Sequence, residues 1–244
     1  MRALRALIVV AVILGGLFVI ADRVAVNFAE NEAADRLRTS EGLSSTPDVS
    51  IQGFPFLTQV AGGELDEVEV GIPDYEAPSG DGGGTVRITD LRADMRGVAF
   101  AGDFSSATAR SATGSAIIPY GELLKAAKSE PTQIAPGVTA RVVGLSDGGD
   151  GKIKLEVDAT VLGLDLPEPV TVLSSVAVED GTVQARADSL PDLGVSLPDS
   201  AMRSFTDFQQ AIDKLPGGIA LDKVEGAADG VRITVKGSDV ELAG

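Results

Sequence analysis

Carboxylates are the most numerous side chains in this sequence that could support acid–base chemistry. There are 36 acidic residues, and Glu67 and Glu69 lie two positions apart in the alternating run ELDEVEVGI. A pair of carboxylates flanking a glycosidic bond is the usual machinery of glycoside hydrolases. The alternation places both glutamates on the solvent-facing side of a strand, where carboxylates stay solvated. With no tryptophan and two tyrosines, aromatic platforms for sugars are also scarce, so the sequence favours a non-enzymatic function.

Residue types that are missing exclude several other chemistries. The chain has no cysteine and no histidine, which excludes disulfides, thiol nucleophiles, the usual zinc sites and a Ser-His-Asp triad. Asp-Gly pairs occur at 150–151, 180–181 and 229–230. They lack the ligand spacing and the closing glutamate of a calcium loop, so we interpret them as hairpin turns. The sequence therefore predicts no catalytic residues, no metal and no cofactor.

The strongly acidic charge limits the partners. The net charge is −16, and without Arg2 and Arg5 there are 18 basic against 36 acidic groups, which gives −18. Such a protein repels nucleic acid, so we expect no nucleic-acid partner. It is also repelled by an anionic membrane surface unless apolar contacts or a local basic patch offset that repulsion.

The segment GFPFLTQVAGG at 53–63 is unusually apolar for a chain whose aromatic content is 4%. Its large apolar side chains are Phe54, Phe56, Leu57 and Val60. In one interpretation they form the mouth of a lipid cavity or insert into the bilayer interface. In the other interpretation the segment is a structural loop whose phenylalanines fill the core at the bottom of a sheet. The two interpretations are compatible, because a phenylalanine at the end of a cavity can serve both purposes.

A second apolar stripe lies in DSAMRSFTDFQQAIDKLPGG at 199–218. Apolar residues four and three apart predict a helix that begins at Asp199 or Ser200 and ends before Pro216. Its side chains Phe205, Phe208 and Ile212 are interpreted as core, with a cavity wall as the alternative. A shorter helix is predicted in PYGELLKAAK at 119–128, with Pro119 in its first turn.

The N-terminus has the features of a membrane-targeting element. Arg2 and Arg5 precede an uncharged apolar run of 16 residues at 6–21. A spanning helix needs about 20 residues, whereas a signal-peptide core has about 7–15, so anchor and cleaved signal both remain open. The positive-inside rule places the rest of the chain outside the cytoplasm. We therefore predict a signal peptide or anchor helix at 1–22, whose helix continues to a stop at Gly42.

The remaining sequence predicts one extracytoplasmic β-rich domain at 23–244. Runs such as KIKLEVDATV at 152–161 alternate between apolar and charged residues. Strict alternation is typical of antiparallel sheets with one buried and one solvated face. Together with the helices, this pattern predicts the α+β class.

Two segments carry a resemblance to a known family. VSIQGFPFLTQVAGGELDEVEV at 49–70 and LDKVEGAADGVRITVKG at 221–237, after an N-terminal membrane segment, resemble the actinobacterial LmeA-like phospholipid-binding proteins. The resemblance implies a curved antiparallel sheet that wraps a long helix around an apolar cavity, similar to tubular lipid-binding modules. It also implies an exported protein of the cell envelope (periplasmic side) that contributes to the maturation of mannan-containing glycolipids. No catalytic residue carries over from the family.

Our leading hypothesis is a cell-envelope protein that binds phospholipid acyl chains in an apolar cavity at or near the plasma membrane. Phe54, Phe56, Leu57, Val60, Phe205, Phe208 and Ile212 are its candidate lipid-binding residues. The alternative is an envelope scaffold that binds a protein partner, such as a polysaccharide-synthesis enzyme, without binding lipid.

Overall fold

The computed structural model describes residues 2–78, 85–101, 106–126, 131–190, 198–211 and 218–242. It confirms the α+β class, with a long N-terminal helix and antiparallel sheets. The helices are α1 (Arg2–Ser40), α2 (Phe56–Gly62), α3 (Tyr120–Ala126) and α4 (Asp199–Thr206).

Thirteen strands form two sheets within the described residues. Those of the first sheet are β1 (Asp48–Gln52), β2 (Glu64–Pro78), β3 (Thr85–Phe100), β4 (Ala107–Pro119), β12 (Ile219–Ala227) and β13 (Gly230–Leu242). Those of the second are β5 (Thr132–Ala135), β6 (Val138–Gly149), β7 (Lys152–Val161), β8 (Leu164–Asp165), β9 (Val170–Glu179), β10 (Thr182–Ala187) and β11 (Phe208–Ala211). The strand orders are β1-β2-β3-β4-β13-β12 and β11-β10-β9-β7-β6-β5, with β8 paired to β7.

The chain divides into two compact units. The first comprises Met1–Pro73, Arg92–Thr113 and Gly237–Gly244, and the second comprises Asp74–Leu91 and Gly114–Lys236. The division falls inside the long strands β2, β3, β4 and β13. The expectation of one extracytoplasmic domain over 23–244 stays a prediction.

In the first unit, α1 packs against β1 and α2. Its buried face carries Asp22, Val26 and Ala34, and the backbone amide of Ile51 on β1 donates to the Glu30 carboxylate at 2.8 Å. The helix stops as predicted. Gly42 adopts φ 63°, and the amide of the next residue donates back to the Arg38 carbonyl at 2.9 Å, which is a Schellman-type end.

In the second unit, β12 contacts β6, β7 and β9 of the second sheet. One core cluster consists of the buried residues Val138, Ala140, Val157, Ala159, Val172, Ala187 and Met202. Another is formed by Tyr120, Val224 and Val231. Small and β-branched side chains predominate, as the low aromatic content requires.

Two of the three predicted Asp-Gly hairpin turns are confirmed. Both residues of the pairs at 150–151 and 180–181 have positive φ, the combination that a type I′ turn requires. The third prediction is wrong in its position, because Ala228 and Asp229 form the turn and Gly230 begins β13. A side chain at Gly230 would overlap the carbonyl of Ile118, so this glycine serves close packing. Pro119 likewise ends β4 instead of opening α3.

The predicted long helix from 199 is also wrong, because α4 ends at Thr206 and β11 begins at Phe208. Asp207 is extended, with φ −97° and ψ 135°, and its carboxylate accepts the Ala187 amide at 3.1 Å. Residues 208–211 then pair with 182–185 on β10. The free edge of β10 offers a hydrogen-bond ladder, and such tertiary pairing overrides helical periodicity. Ile212 lies outside the described residues.

We expect replacement of Gly226 by alanine to destabilise the second unit. The Gly226 amide donates to the Gly151 carbonyl at 2.8 Å, and a side chain there would overlap the backbone of Lys152. Overpacking of this kind costs about 1–3 kcal/mol, which is a loss of several degrees in Tm. In the matched control Gly121→Ala, on α3, the new methyl group meets nothing within 4 Å, so Tm should hold or rise. Equal melting temperatures for Gly226→Ala and wild type would contradict the close approach.

Candidate functional site

The segment GFPFLTQVAGG forms a short helix, which corrects its interpretation as a loop. Helix α2 follows Pro55, whose preceding peptide bond is cis, and it ends at Gly63 with φ 78°. The residue at its N-terminal cap makes no side-chain hydrogen bond to the helix. The free amides of its first turn must therefore find an acceptor elsewhere.

That acceptor is Asp22 of α1, which lies 35 residues earlier in the chain. Its Oδ1 accepts the backbone amide of Leu57 at 2.8 Å, and the amide of Phe56 also donates to this carboxylate. Its Oδ2 accepts Arg23 Nη2 at 2.7 Å. The Asp22 side chain is fully buried, and three donors satisfy it as a buried charge requires. Helix α2 is thus capped by the first residue after the apolar run.

These hydrogen bonds determine the acidity of Asp22. Burial raises the pKa of its carboxyl, but the hydrogen bonds from Arg23 and from the amides of Leu57 and Phe56 outweigh burial. The net result is a pKa below the ordinary value of the group. The side chain therefore remains an anion at neutral pH, and its charge strengthens the hydrogen bonds that it accepts.

The structure separates the four candidate residues of this segment by exposure. Phe56 is buried, with 7% of its surface exposed, and fills the core as the structural interpretation proposed. Phe54 is 56% exposed and Leu57 is 36% exposed, so both present apolar surface to the surroundings. Val60 is half-buried. Lipid contact by any of the four stays a prediction.

Phe54 is held by a cation–π contact. The Arg23 guanidinium lies 5.2 Å from the centre of its ring, while the same side chain bonds Asp22 at 2.7 Å. On α1, Val24 and Phe28 are 64% and 71% exposed. An apolar surface therefore continues past the end of the apolar run at 6–21. Sequence reasoning missed Asp22 and Arg23, and the only local signal was a charged pair directly after that run.

The candidates of the second unit do not form one stripe. Phe205, on α4, is half-buried against the cluster that contains Met202 and Ala187. Phe208, on β11, is 56% exposed. Because Phe205 lies on a helix and Phe208 on a strand, the two residues do not form the helical stripe that the sequence predicted.

A pocket of about 340 Å³ opens in the second unit. Its lining is Pro131, Thr139, Ala140, Arg141, Asp158, Ala159, Thr160, Asp165 and Leu166. Within it, Arg141 pairs with Asp158 at 2.8 Å, and the Thr160 hydroxyl donates to Asp165 at 2.6 Å. This volume lies at the low end of small-ligand sites, which span about 300–1,000 Å³. An apolar cavity for acyl chains stays a prediction.

The acidic pair considered for catalysis lies in a surface group of charges in the first unit. Carboxylate oxygens of Glu67, Glu69 and Asp94 lie within 4.8 Å of one another. Arg96 already pairs with Glu67 at 3.0 Å, and both Glu69 and Asp94 are exposed. The arrangement is that of a solvated group of charges with one ion pair.

Antiparallel sheets and an N-terminal helix of membrane-spanning length and composition define a membrane-associated or secreted α+β protein. The chain belongs to the LmeA-like phospholipid-binding family, whose model matches residues 20–236. This match confirms the family resemblance and supports phospholipid binding. No curated protein and no solved structure matches the chain significantly.

Phe54, just before α2, and Phe56, its first residue, should differ in their effect on stability. Phe56→Ala removes a buried ring, so the free energy of unfolding should fall by about 3–5 kcal/mol. Phe54→Ser removes an exposed ring and its contact with Arg23, for which about 0.5–1 kcal/mol is expected. Chemical denaturation of the full chain in detergent measures both, and similar losses would contradict the division into core and surface residues.

Replacement of Asp22 by asparagine should lower Tm in a pH-dependent manner. Because the folded-state pKa is depressed, the stability due to the carboxylate is complete above the pKa of the unfolded state. It is lost as the pH falls below about 4 through the folded-state value. The Tm difference between wild type and Asp22→Asn should therefore be large at pH 7 and shrink in acid. Asp35→Asn, at an exposed position of the same helix, is the control, and a pH-independent difference would refute the contribution of the Asp22 charge.

Proposed function

We propose that this chain is an exported, membrane-associated protein that binds phospholipid without catalysing a reaction. Acyl chains are held by apolar burial in the interior of the β-rich body, and the headgroup stays at a polar rim. Family membership supports phospholipid as the ligand. The observation that carries the membrane assignment is the hydrogen bond between Asp22 and the Leu57 amide.

That hydrogen bond determines where the exposed apolar side chains of α2 lie along α1. The apolar run ends at Ala21, and Asp22 follows it in one continuous helix with a rise of about 1.5 Å per residue. If the run is embedded in a bilayer, the start of α2 lies within a few ångströms of the bilayer surface. Phe54 and Leu57 then reach the interface, where aromatic and apolar side chains are favourable.

Burial of apolar surface is the main favourable contribution to membrane binding for this acidic protein. Each Å² of apolar surface removed from water contributes about 25 cal/mol, and Phe54 and Leu57 both expose such surface. Arg23, beside Phe54, is already paired with Asp22 at 2.7 Å, so it adds no net charge and apolar contact is the main favourable term. These contacts offset the repulsion that a net charge of −16 creates.

The scaffold alternative differs in what the purified protein retains. A scaffold would purify with a stoichiometric protein partner and without lipid. The proposed function instead requires phospholipid in the purified protein. The anchor or signal at 1–22, the plasma membrane and the maturation of mannan-containing glycolipids belong to the same proposal. So does the expectation that polysaccharide-synthesis proteins are partners.

A lipid-transfer assay tests the proposal. The full chain, reconstituted into phosphatidylcholine vesicles, should take up a fluorescent phospholipid from donor vesicles. Phe54→Ser combined with Leu57→Ser should slow uptake at least about tenfold, which corresponds to ~1.4 kcal/mol, because the contact that brings lipid to the protein is lost.

The control is Leu173→Ser, because Leu173 is 37% exposed and Leu57 is 36% exposed. Leu173 lies on β9, in the second unit, and uptake should be unchanged. If lipid extraction finds no phospholipid with the wild-type chain and uptake is absent, phospholipid binding is wrong. If lipid is retained but the double variant behaves as wild type, only the role of α2 is wrong.

A further inference from the structure

The hairpin between β7 and β8 presents two leucines in an unusual way. Val161 pairs with Leu164, and the two-residue turn between them consists of Leu162 and Gly163. Leu162 is 78% exposed and Leu164 is 75% exposed. They are the two most exposed large apolar side chains among the described residues, above even those of the apolar run. We call residues 162–164 the leucine tip.

The backbone of the leucine tip is one that leucine rarely adopts. Leu162 has φ 51° and Gly163 has φ 82°, so both central residues of the turn are left-handed, which favours Asn-Gly or Asp-Gly. The turns at 150–151 and 180–181 have the same geometry and carry Asp-Gly. Of the five described non-glycine residues with positive φ, four are aspartates and the fifth is Leu162.

A bulky residue held in this conformation costs stability and persists where something else requires the side chain. The surroundings hold the tip in place. The Leu162 amide donates to the Gly137 carbonyl at 2.6 Å. A side chain at Gly137 would lie 2.9 Å from Leu162 Cδ2, so the Leu162 side chain lies next to this glycine. The leucine tip is thus a projecting turn whose backbone is held by a hydrogen bond to Gly137.

We propose that the leucine tip inserts into a phospholipid surface, as a lipid contact separate from α2. This proposal rests on the proposed function and locates a contact for the same ligand class in the second unit. Two leucines on a two-residue turn form a small convex projection. A stable protein interface buries about 800 Å² per partner, which two side chains do not supply. A bilayer requires no such area, since apolar side chains only need to reach 5–10 Å into the boundary of headgroups and acyl chains, on the order of one side chain's length.

The pocket beside the tip agrees with a lipid surface. Thr160 and Asp165 pair across the two strands next to the turn, and both line the pocket of about 340 Å³. A strand rises about 3.3 Å per residue, so insertion of the leucines brings these polar groups to the depth of the headgroups. The lining carries one arginine and two aspartates, which gives no excess of positive charge. Insertion should therefore occur with zwitterionic phosphatidylcholine and gain nothing from added anionic lipid.

A fluorescent probe tests the proposal in the full chain. Because the sequence has no cysteine, one cysteine can be introduced and labelled, as Leu164→Cys or, in the equivalent position after the 180–181 turn, as Thr182→Cys. In phosphatidylcholine proteoliposomes, nitroxide lipids should quench the probe at 164 severalfold more than the probe at 182. In one experiment the nitroxide lipid is in the bilayer that holds the protein, and in a second experiment it is in vesicles added afterwards. Stronger quenching at 164 than at 182 in either experiment supports insertion.

Leu162→Asn provides the second measurement, because it separates turn stability from lipid contact. Asparagine suits the left-handed turn, so Tm should rise by about 2–4 °C. Quenching of the probe at 164 should fall, because Leu162 is the leucine of the tip that remains in the labelled chain. Asp180→Leu creates the reverse change in the matched turn and should lower Tm by a similar amount.

Three results would overturn the proposal. One is equal quenching at 164 and 182 in both experiments. Another is a probe at 164 that is shielded from aqueous iodide but not quenched by nitroxide lipid, which would indicate a protein partner or a second copy of the chain. The third is a lower Tm for Leu162→Asn. Phospholipid that co-purifies with each chain before reconstitution, measured by lipid extraction, shows whether the proposed function stands when the tip does not insert.

Discussion

The buried carboxylate of Asp22 is the interaction on which the first unit depends. It accepts amides from the first turn of α2 and the guanidinium of Arg23, so one side chain joins the N-terminal helix to the segment with the exposed phenylalanine. An uncompensated charge in this place would be strongly unfavourable. The three donors make it favourable, and they arrive together only when α1 and α2 are packed. The folding of α2 and the position of its apolar side chains along α1 therefore have the same cause.

The balance of charge and apolar surface favours apolar over electrostatic contact with lipid in the function proposed here. A protein with 36 acidic and 20 basic residues gains little from long-range attraction to a lipid surface. Among the described residues, large apolar side chains are exposed on α1, at and just before α2, at the β7–β8 turn, on β9 and on β11. Helix α2 and the β7–β8 turn are held by hydrogen bonds from their backbone amides, which limits the conformational entropy that lipid contact would cost there.

Periodicity and turn chemistry predicted the parts of the fold that local sequence determines. Alternation identified the strands, Gly42 identified the end of α1, and two Asp-Gly pairs identified I′ hairpins. Two of the failures have distant causes. The cap of α2 comes from a residue 35 positions away, and the extended segment at Phe208 follows from the edge of β10. The exposed Leu-Gly turn was missed because its geometry is the one that sequence rules reserve for Asp-Gly or Asn-Gly.

Helix α1 continues without a break past the end of the apolar run, and this affects cleavage by a signal peptidase. A signal peptidase that cut after Ala21 would have to unwind a helix in which the next residue is buried. The cut would also leave a new ammonium group next to a carboxylate that already has three donors. Maturation by such a cut would therefore compete with folding of the first unit, whereas a chain that keeps its leader meets no such conflict. The order of cleavage and folding would decide between a released and a tethered form.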